Sequence, residues 1–149
     1  MNDFLDCELS KYSYSGATSL HLAHYSDIML AEQHPHAVVI HAGTNDICGR
    51  NRRDASAQQI ANDIINIGKR CKTGGGVNVY ISSLLITNNA SANTKGKDIN
   101  TILNTLCSEN NYFFINNDFL DTNHLEDAVH LTWEGRRDLV NNYIQILNN

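Results

Sequence analysis

The chain has 149 residues, 42% of them hydrophobic, which is the size of one globular domain able to bury a core without disulfides or a structural metal. Eleven Lys and Arg against sixteen Asp and Glu leave a net charge of −5, with no basic face beyond Arg50, Arg52 and Arg53, so nucleic acid and anionic membrane surfaces are not the expected partners. Cys7, Cys48, Cys71 and Cys107 show no C-x-x-C spacing and read as reduced, partly buried small hydrophobes. The acidic start at Met1–Glu8 is no secretory signal and no apolar run is membrane-spanning, so the default location is cytoplasmic and no membrane is expected.

In chain order, residues 7–14 read as a strand ending at Ser15-Gly16. Residues 20–33 suit an amphipathic helix with Ser19 as its N-cap and Pro35 beyond its end. Ala37 to Ile40 is continuously apolar, the pattern of a parallel strand buried on both faces. A polar loop of roughly ten residues follows, and then a helix over 56–72 with Ile60, Ala61, Ile64, Ile65 and Gly68 on one face, stopped by Gly74-Gly75-Gly76. Val77 to Ile86 is the longest strand candidate. The polar segment 87–97 reads as a surface loop, 98–109 as a helix and Tyr112 to Ile115 as a short aromatic strand. A long loop over 117–131 precedes a helix capped by Thr132, whose Leu139, Val140, Tyr143, Ile144 and Leu147 face inward.

Strands alternating with helices of these lengths predict right-handed βαβ units, an α/β three-layer flavodoxin-like sandwich on a parallel sheet. Sites in such sheets form at the carboxyl ends of the strands. Gly16, Asn45 and the loop carrying Asp127 and His130 all fall at predicted strand ends.

Ester hydrolysis needs a nucleophile, a base, a group that orients the base, and donors aimed at the developing oxyanion. His130 is the candidate base, because imidazole accepts and returns a proton near neutrality. Asp127, three residues earlier, is placed to hold the other ring nitrogen, while the Asn45 amide and the Gly16 backbone N–H are candidate oxyanion donors. Taken singly, each block is a common turn; their joint order at three strand ends is what favours the functional reading.

Ser15-Gly16-Ala17-Thr18, Gly43-Thr44-Asn45-Asp46 and Asp127-Ala128-Val129-His130, followed by Leu131-Thr132 and Gly135, resemble blocks of the SGNH (GDSL-like) hydrolases over essentially the whole chain. The resemblance implies serine esterase, lipase or deacetylase chemistry on a small ester, with no metal or organic cofactor. It also implies a first, central strand ending in Gly-Asp-Ser, a block these residues do not contain. Met1-Asn2-Asp3-Phe4 reads like the start of the helix that follows that serine. The expectation is therefore an N-terminally truncated single domain, missing the first central strand and the nucleophile. The alternative is a catalytically inactive SGNH-fold module that binds a ligand or partner in the same cleft.

Other residues read as bland. His21, His24, His34 and His36 lack partners at metal-ligand spacing and are expected to face solvent. The arginines at 50, 52 and 53 border the site loop as a solvated run that could meet an anionic substrate. Ser82 and Ser83 pack within their strand. A nucleotide-binding flavodoxin-like domain has little support, since Gly74-Gly75-Gly76 precedes a strand instead of joining a strand to a helix.

Overall fold

The computed structural model describes residues 9–14 and 16–149. Helix α1 (Ser19–Glu32) leads into strand β1 (Ala37–His41), the single-turn helix α2 (Thr44–Ile47) and helix α3 (Ala57–Cys71). Strand β2 (Asn78–Ser82), helix α4 (Ala90–Asn110), strand β3 (Phe113–Ile115) and helix α5 (Trp133–Leu147) complete the alternation. The strands form a parallel sheet in the order β1-β2-β3, with Ile40 opposite Ile81 and Ser82 opposite Ile115. This is the α/β architecture expected from the sequence.

The period-2 alternation of the strands sorts the sheet into two unlike faces. Ile40, Val79 and Ile81 point into the main core with Ile60, Ile64, Ile99 and Leu103 from α3 and α4, and α1 packs along α3 at its margin. The opposite face carries Tyr80, Ser82 and His41, and α5 reaches it over β2 and β3 through polar contacts. The Ser82 hydroxyl lies 2.9 Å from His41 Nδ1, 2.5 Å from the Tyr143 hydroxyl and 2.8 Å from the Asn117 amide that donates to it. Asn142 donates to the Asn117 side chain and to the Asn116 carbonyl. Ser82 and Ser83 are buried and hydrogen-bonded, consistent with packing positions.

Several local expectations change. The part of the predicted first strand that is described, residues 9–14, forms no ladder, and its first residues, like Met1–Phe4 and Cys7, lie outside the described residues. β1 is not buried on both faces: it pairs only with β2 among the described residues, and Ala37 and His41 are exposed because α5 is anchored over β2 and β3. The strand predicted over 77–86 ends at Ser82, where the Ser83 N–H turns to the Ile115 carbonyl and the Asn100 side chain takes both backbone groups of Leu84.

Most of the predicted loop 87–97 is instead the first two turns of α4. Asn89 caps it, accepting from the Ala92 N–H, and the inward positions Ala92 and Gly96 extend the Ile99, Leu103 and Cys107 stripe with residues too small to register as apolar periodicity. In α5 Gly135 is fully buried and the expected inward positions Leu139, Tyr143, Ile144 and Leu147 are half-buried, but Val140 is half exposed. Cys71 and Cys107 are buried free thiols, both pushed up to about 11 by burial.

The Tyr143 hydroxyl is a principal tie between α5 and the sheet. Tyr143→Phe is expected to lower stability by about 0.5–1.5 kcal/mol, the usual net worth of one such hydrogen bond. Urea denaturation compared with the exposed-site control Val140→Ala measures it.

Candidate functional site

Because all three strands run parallel, the loops after β1, β2 and β3 emerge at one edge of the sheet. After β1 the chain turns at Gly43, whose φ of +116° and lack of a side chain are both required: a Cβ there would lie 2.9 Å from Leu84 and 3.1 Å from Ile64. The turn delivers α2, and with it Asn45. The Asn45 amide donates one N–H to the Ala17 carbonyl at 3.0 Å, which orients the group and leaves its second proton for another acceptor. Gly16 sits at φ +72°, with its carbonyl held by the Asn51 amide at 2.9 Å, and its N–H has no acceptor among the described residues. The structure thus ties Asn45 to the residue that follows Gly16.

Beneath them is a buried ionic cluster that the sequence did not reveal. Asp46 is fully buried and accepts hydrogen bonds from the Ser19 N–H at 2.8 Å, the Ser19 hydroxyl at 2.7 Å and Arg53 Nε at 2.8 Å. Arg53 also reaches Asp63 of α3 at 2.7 Å, and Asp63 accepts from Gln59. Arg53 is therefore not part of a solvated run facing an anionic substrate, although Arg50 and Arg52 are exposed as expected. Its guanidinium is occupied by two carboxylates.

The third block lies in the loop between β3 and α5. Asp127 Oδ1 accepts the backbone N–H groups of Val129 at 3.0 Å and His130 at 2.8 Å, and its other oxygen lies 2.8 Å from His130 Nδ1. A proton on Nδ1 donates to the carboxylate, leaving the Nε2 lone pair as the basic site. The loop is pinned to the segment after β2 by Asn88 N–H donating to the Ala128 carbonyl, and it closes on itself through the Leu125–Leu131 bridge. The ring and the carboxylate are both largely exposed, 71% and 54%, so this pair is open to solvent.

The two backbone N–H donors are the leading reason that Asp127 is held down at about 2, with the imidazole a smaller contributor. Its folded value is depressed, so the stability it contributes is present above its ordinary range near 3.8 and is lost as pH falls toward 2.

A second Asp-x-x-His turn occurs six residues earlier, and the sequence reading passed over it. His124 Nδ1 accepts the Asp121 backbone N–H at 3.0 Å, while Nε2 faces Asp138 at 3.9 Å. Its Nδ1 lone pair is therefore occupied, which puts the neutral ring's proton on Nε2. Spacing alone does not separate the two turns; the hydrogen bonds do.

Of the four predicted site residues, Asp127 bonds His130 directly, while Asn45 reaches Gly16 only through the adjacent Ala17 carbonyl. Both pairs stand at the carboxyl edge, and no hydrogen bond joins one pair to the other among the described residues. His21 and His24 are exposed as expected, although His21 Nδ1 also accepts the Thr18 N–H at 3.2 Å. His34 and His36 are exposed. Among the described residues no group of three or more His, Cys, Asp or Glu is placed to hold a metal ion, and no helix is long and apolar enough to cross a membrane.

The family model described as the GDSL-like lipase/acylhydrolase family matches residues 3–137. An aryl esterase from M. smegmatis superposes with a TM-score of 0.83 at 20% identity, over 98% of this chain and 80% of that one. A GDSL-like lipase from Bacteroides thetaiotaomicron gives 0.74 at 22% identity, over 89% and 73%. A carbohydrate acetylesterase from Sinorhizobium meliloti gives 0.70 at 19%, over 85% and 66%. At these identities the structures establish the shared fold. No curated protein sequence matches the chain.

Arg53→Met is expected to destabilise the chain by about 3–5 kcal/mol by leaving the Asp46 carboxylate buried without its cation. Urea denaturation against the exposed control Arg52→Met, expected to change stability by less than about 0.5 kcal/mol, provides the comparison. Separately, carboxyl-carbon NMR titration of Asp127 should give a midpoint near 2. In His130→Ala the midpoint should stay well below the ordinary range, because the backbone donors remain; a return to an ordinary aspartate value would show that the imidazole is the main cause.

Proposed function

The chain belongs to the GDSL-like lipase/acylhydrolase family, and we propose that it is an SGNH-type serine esterase domain, acting on a small acyl or acetyl ester, whose nucleophilic serine is not among these 149 residues. His130 is the general base and Asp127 its orienting carboxylate. The Gly16 N–H and the second proton of the Asn45 amide are the oxyanion donors. The observation that carries the reading is the 2.8 Å contact between His130 Nδ1 and Asp127, which leaves Nε2 as the lone-pair nitrogen at the edge where Asn45 is already tied to the residue that follows Gly16.

The roles follow from this chemistry. A serine hydroxyl attacking an ester carbonyl gives its proton to Nε2, and the imidazolium so formed is stabilised by the ionised Asp127. The carbonyl oxygen, now negative, takes N–H donors fixed before the reaction begins. Asn45 is oriented by Ala17 and Gly16 by Asn51, so neither reorganises as charge develops. The family resemblance supplies no metal or organic cofactor to this scheme.

A triad without its serine loses on the order of 10⁶ in turnover, so the chain alone is expected to show no fluorophosphonate labelling and negligible hydrolysis of short p-nitrophenyl esters. Fusing an apolar strand ending in Gly-Asp-Ser ahead of Met1 should restore labelling on the new serine. His130→Ala in that fusion should then abolish it by about 10³-fold or more. Labelling of the unfused chain at Ser13, Ser15 or Ser19, or restored labelling that ignores His130→Ala, would overturn the assignment. A folded fusion that binds short esters but never turns over would favour the inactive binding module instead.

A further inference from the structure

Asn93, in the first turn of α4, closes on Thr87 in a clasp that the reaction scheme does not use. Thr87 is 1% exposed, and its backbone N–H and its hydroxyl both donate to Asn93 Oδ1, at 2.8 and 3.0 Å. A backbone N–H can only donate, so this contact identifies the oxygen of the carboxamide and assigns its nitrogen to the remaining partner. That partner is the Thr87 carbonyl, to which Asn93 Nδ2 donates at 2.8 Å. The Asn89 N–H donates to the Thr87 hydroxyl at 3.1 Å and completes the set.

The clasp has a far end. The carbonyl it holds belongs to the same planar peptide as the Asn88 N–H, and in a trans peptide those two groups point in opposite directions. The Asn88 N–H donates to the Ala128 carbonyl at 2.9 Å. Among the described residues this is the one hydrogen bond that carries the Asp127–His130 turn to the loop of another strand; the others stay within the turn, and its Glu126 reaches Arg136 of α5. The Ala128 carbonyl in turn shares its peptide with the Val129 N–H, which donates to Asp127 Oδ1 at 3.0 Å. A single line of hydrogen bonds therefore runs from Asn93 through two peptide groups to the carboxylate that holds His130.

We propose that Asn93 is a positioning residue, which fixes the Asp127–His130 turn against the sheet edge through the Thr87–Asn88 peptide. Each bond in such a line polarises the peptide it meets, so donation by Asn93 makes the Asn88 and Val129 N–H groups stronger donors. Without Asn93 the Thr87–Asn88 peptide is free to rotate and swing the Asn88 N–H away from Ala128. A base displaced by about 1 Å costs on the order of 10²-fold in rate. Starting α4 does not require this clasp, because Asn89 already caps the helix through the Ala92 N–H. That His130 is a base rests on the esterase reading above; control of the turn by Asn93 does not.

The test is NMR of the 149-residue chain and its variants. Asn93→Ala should speed exchange of the Asn88 amide by about tenfold or more, the mark of a lost hydrogen bond. It should also raise the Asp127 carboxyl midpoint from about 2 by about 0.1–0.6, which is 10–30% of a charge-assisted hydrogen bond. His130 is the titratable side chain in contact with Asp127, and neighbouring Glu126 faces Arg136 at 3.5 Å; the variant leaves both in place. Thr87→Val is the control. It removes the hydroxyl from the clasp but keeps the Thr87 carbonyl on Asn93 Nδ2, so it should lower stability and leave the Asp127 midpoint where it is. Asn93→Asp, read at neutral pH, keeps an acceptor for both Thr87 donors and deletes only the Nδ2 donor, so it should expose the Asn88 amide in a chain that stays folded. In the Gly-Asp-Ser fusion, Asn93→Ala should lower kcat about tenfold with KM within about twofold.

An Asn88 amide as protected in both Asn93 variants as in the parent, or an Asp127 midpoint that moves as far in Thr87→Val as in Asn93→Ala, would overturn the positioning role. The expected NMR changes together with a fusion that never hydrolyses would support the role of Asn93 and remove the esterase reading. A hydrolysing fusion whose kcat ignores Asn93→Ala would do the reverse.

Discussion

A carboxylate with no access to water is tolerable only if every oxygen is matched, and Asp46 is the point at which this half of the molecule meets that demand. Its partners come from different places in the chain: the backbone and hydroxyl of Ser19 at the start of α1, and Arg53 from the loop beyond α2. Arg53 in turn holds Asp63 on α3. Satisfying one buried charge therefore sets where α1 begins, how α2 leaves the sheet and where the following loop returns. The positive end of the α1 dipole adds to the same balance. The Gly16 turn and Asn45 sit directly on this assembly, so the separation of the two candidate oxyanion donors is inherited from it.

The sheet divides its labour between its faces. On one side, Ile and Val pack densely against α3 and α4, and the gain is the ordinary one of removing apolar area from water. On the other, α5 is held by a hydrogen-bonded set around Ser82, with His41, Tyr143, Asn117 and Asn142 each contributing a defined geometry. Such contacts are directional, and in a low-dielectric interior they polarise and strengthen one another. The loop bearing Asp127 and His130 leads straight into α5, so this polar seam helps to define where that loop returns to the sheet edge.

Within the loop, two turns of identical spacing have different chemistry. In both, an aspartate caps a short turn and a histidine follows three residues later. His124 takes a backbone N–H on Nδ1 and turns Nε2 toward Asp138 of α5 at 3.9 Å. His130 instead offers Nδ1 to a carboxylate already fixed by two backbone donors, with its other nitrogen open to solvent. A base needs that free lone pair, and the first turn does not leave one.

The βαβ alternation, the parallel sheet, the cap at Thr132 and the three candidate blocks were legible in the residues, because each is written in local periodicity, capping chemistry or short spacing, whereas the cap expected at Ser19 falls one residue earlier, at Thr18. The start of α4 was not legible: Ala92 and Gly96 serve as core residues by being small, and smallness carries no apolar period. Nor was the early end of β2, which is set by Asn100 and Asn117 reaching in from distant positions. The role of Arg53 was likewise hidden, since its charge reads as solvated until Asp46 and Asp63 are brought to it. Sequence by itself determined which elements form and which residue types stand at their ends, as those depend on neighbours within a few positions. Tertiary structure alone decided how the buried Asp46 is satisfied and what lies beside the Gly16 turn, because hydrogen bonds such as Ser19 to Asp46 and Asn45 to Ala17, between residues 27 and 28 positions apart, exist only once the fold has brought them within about 3 Å.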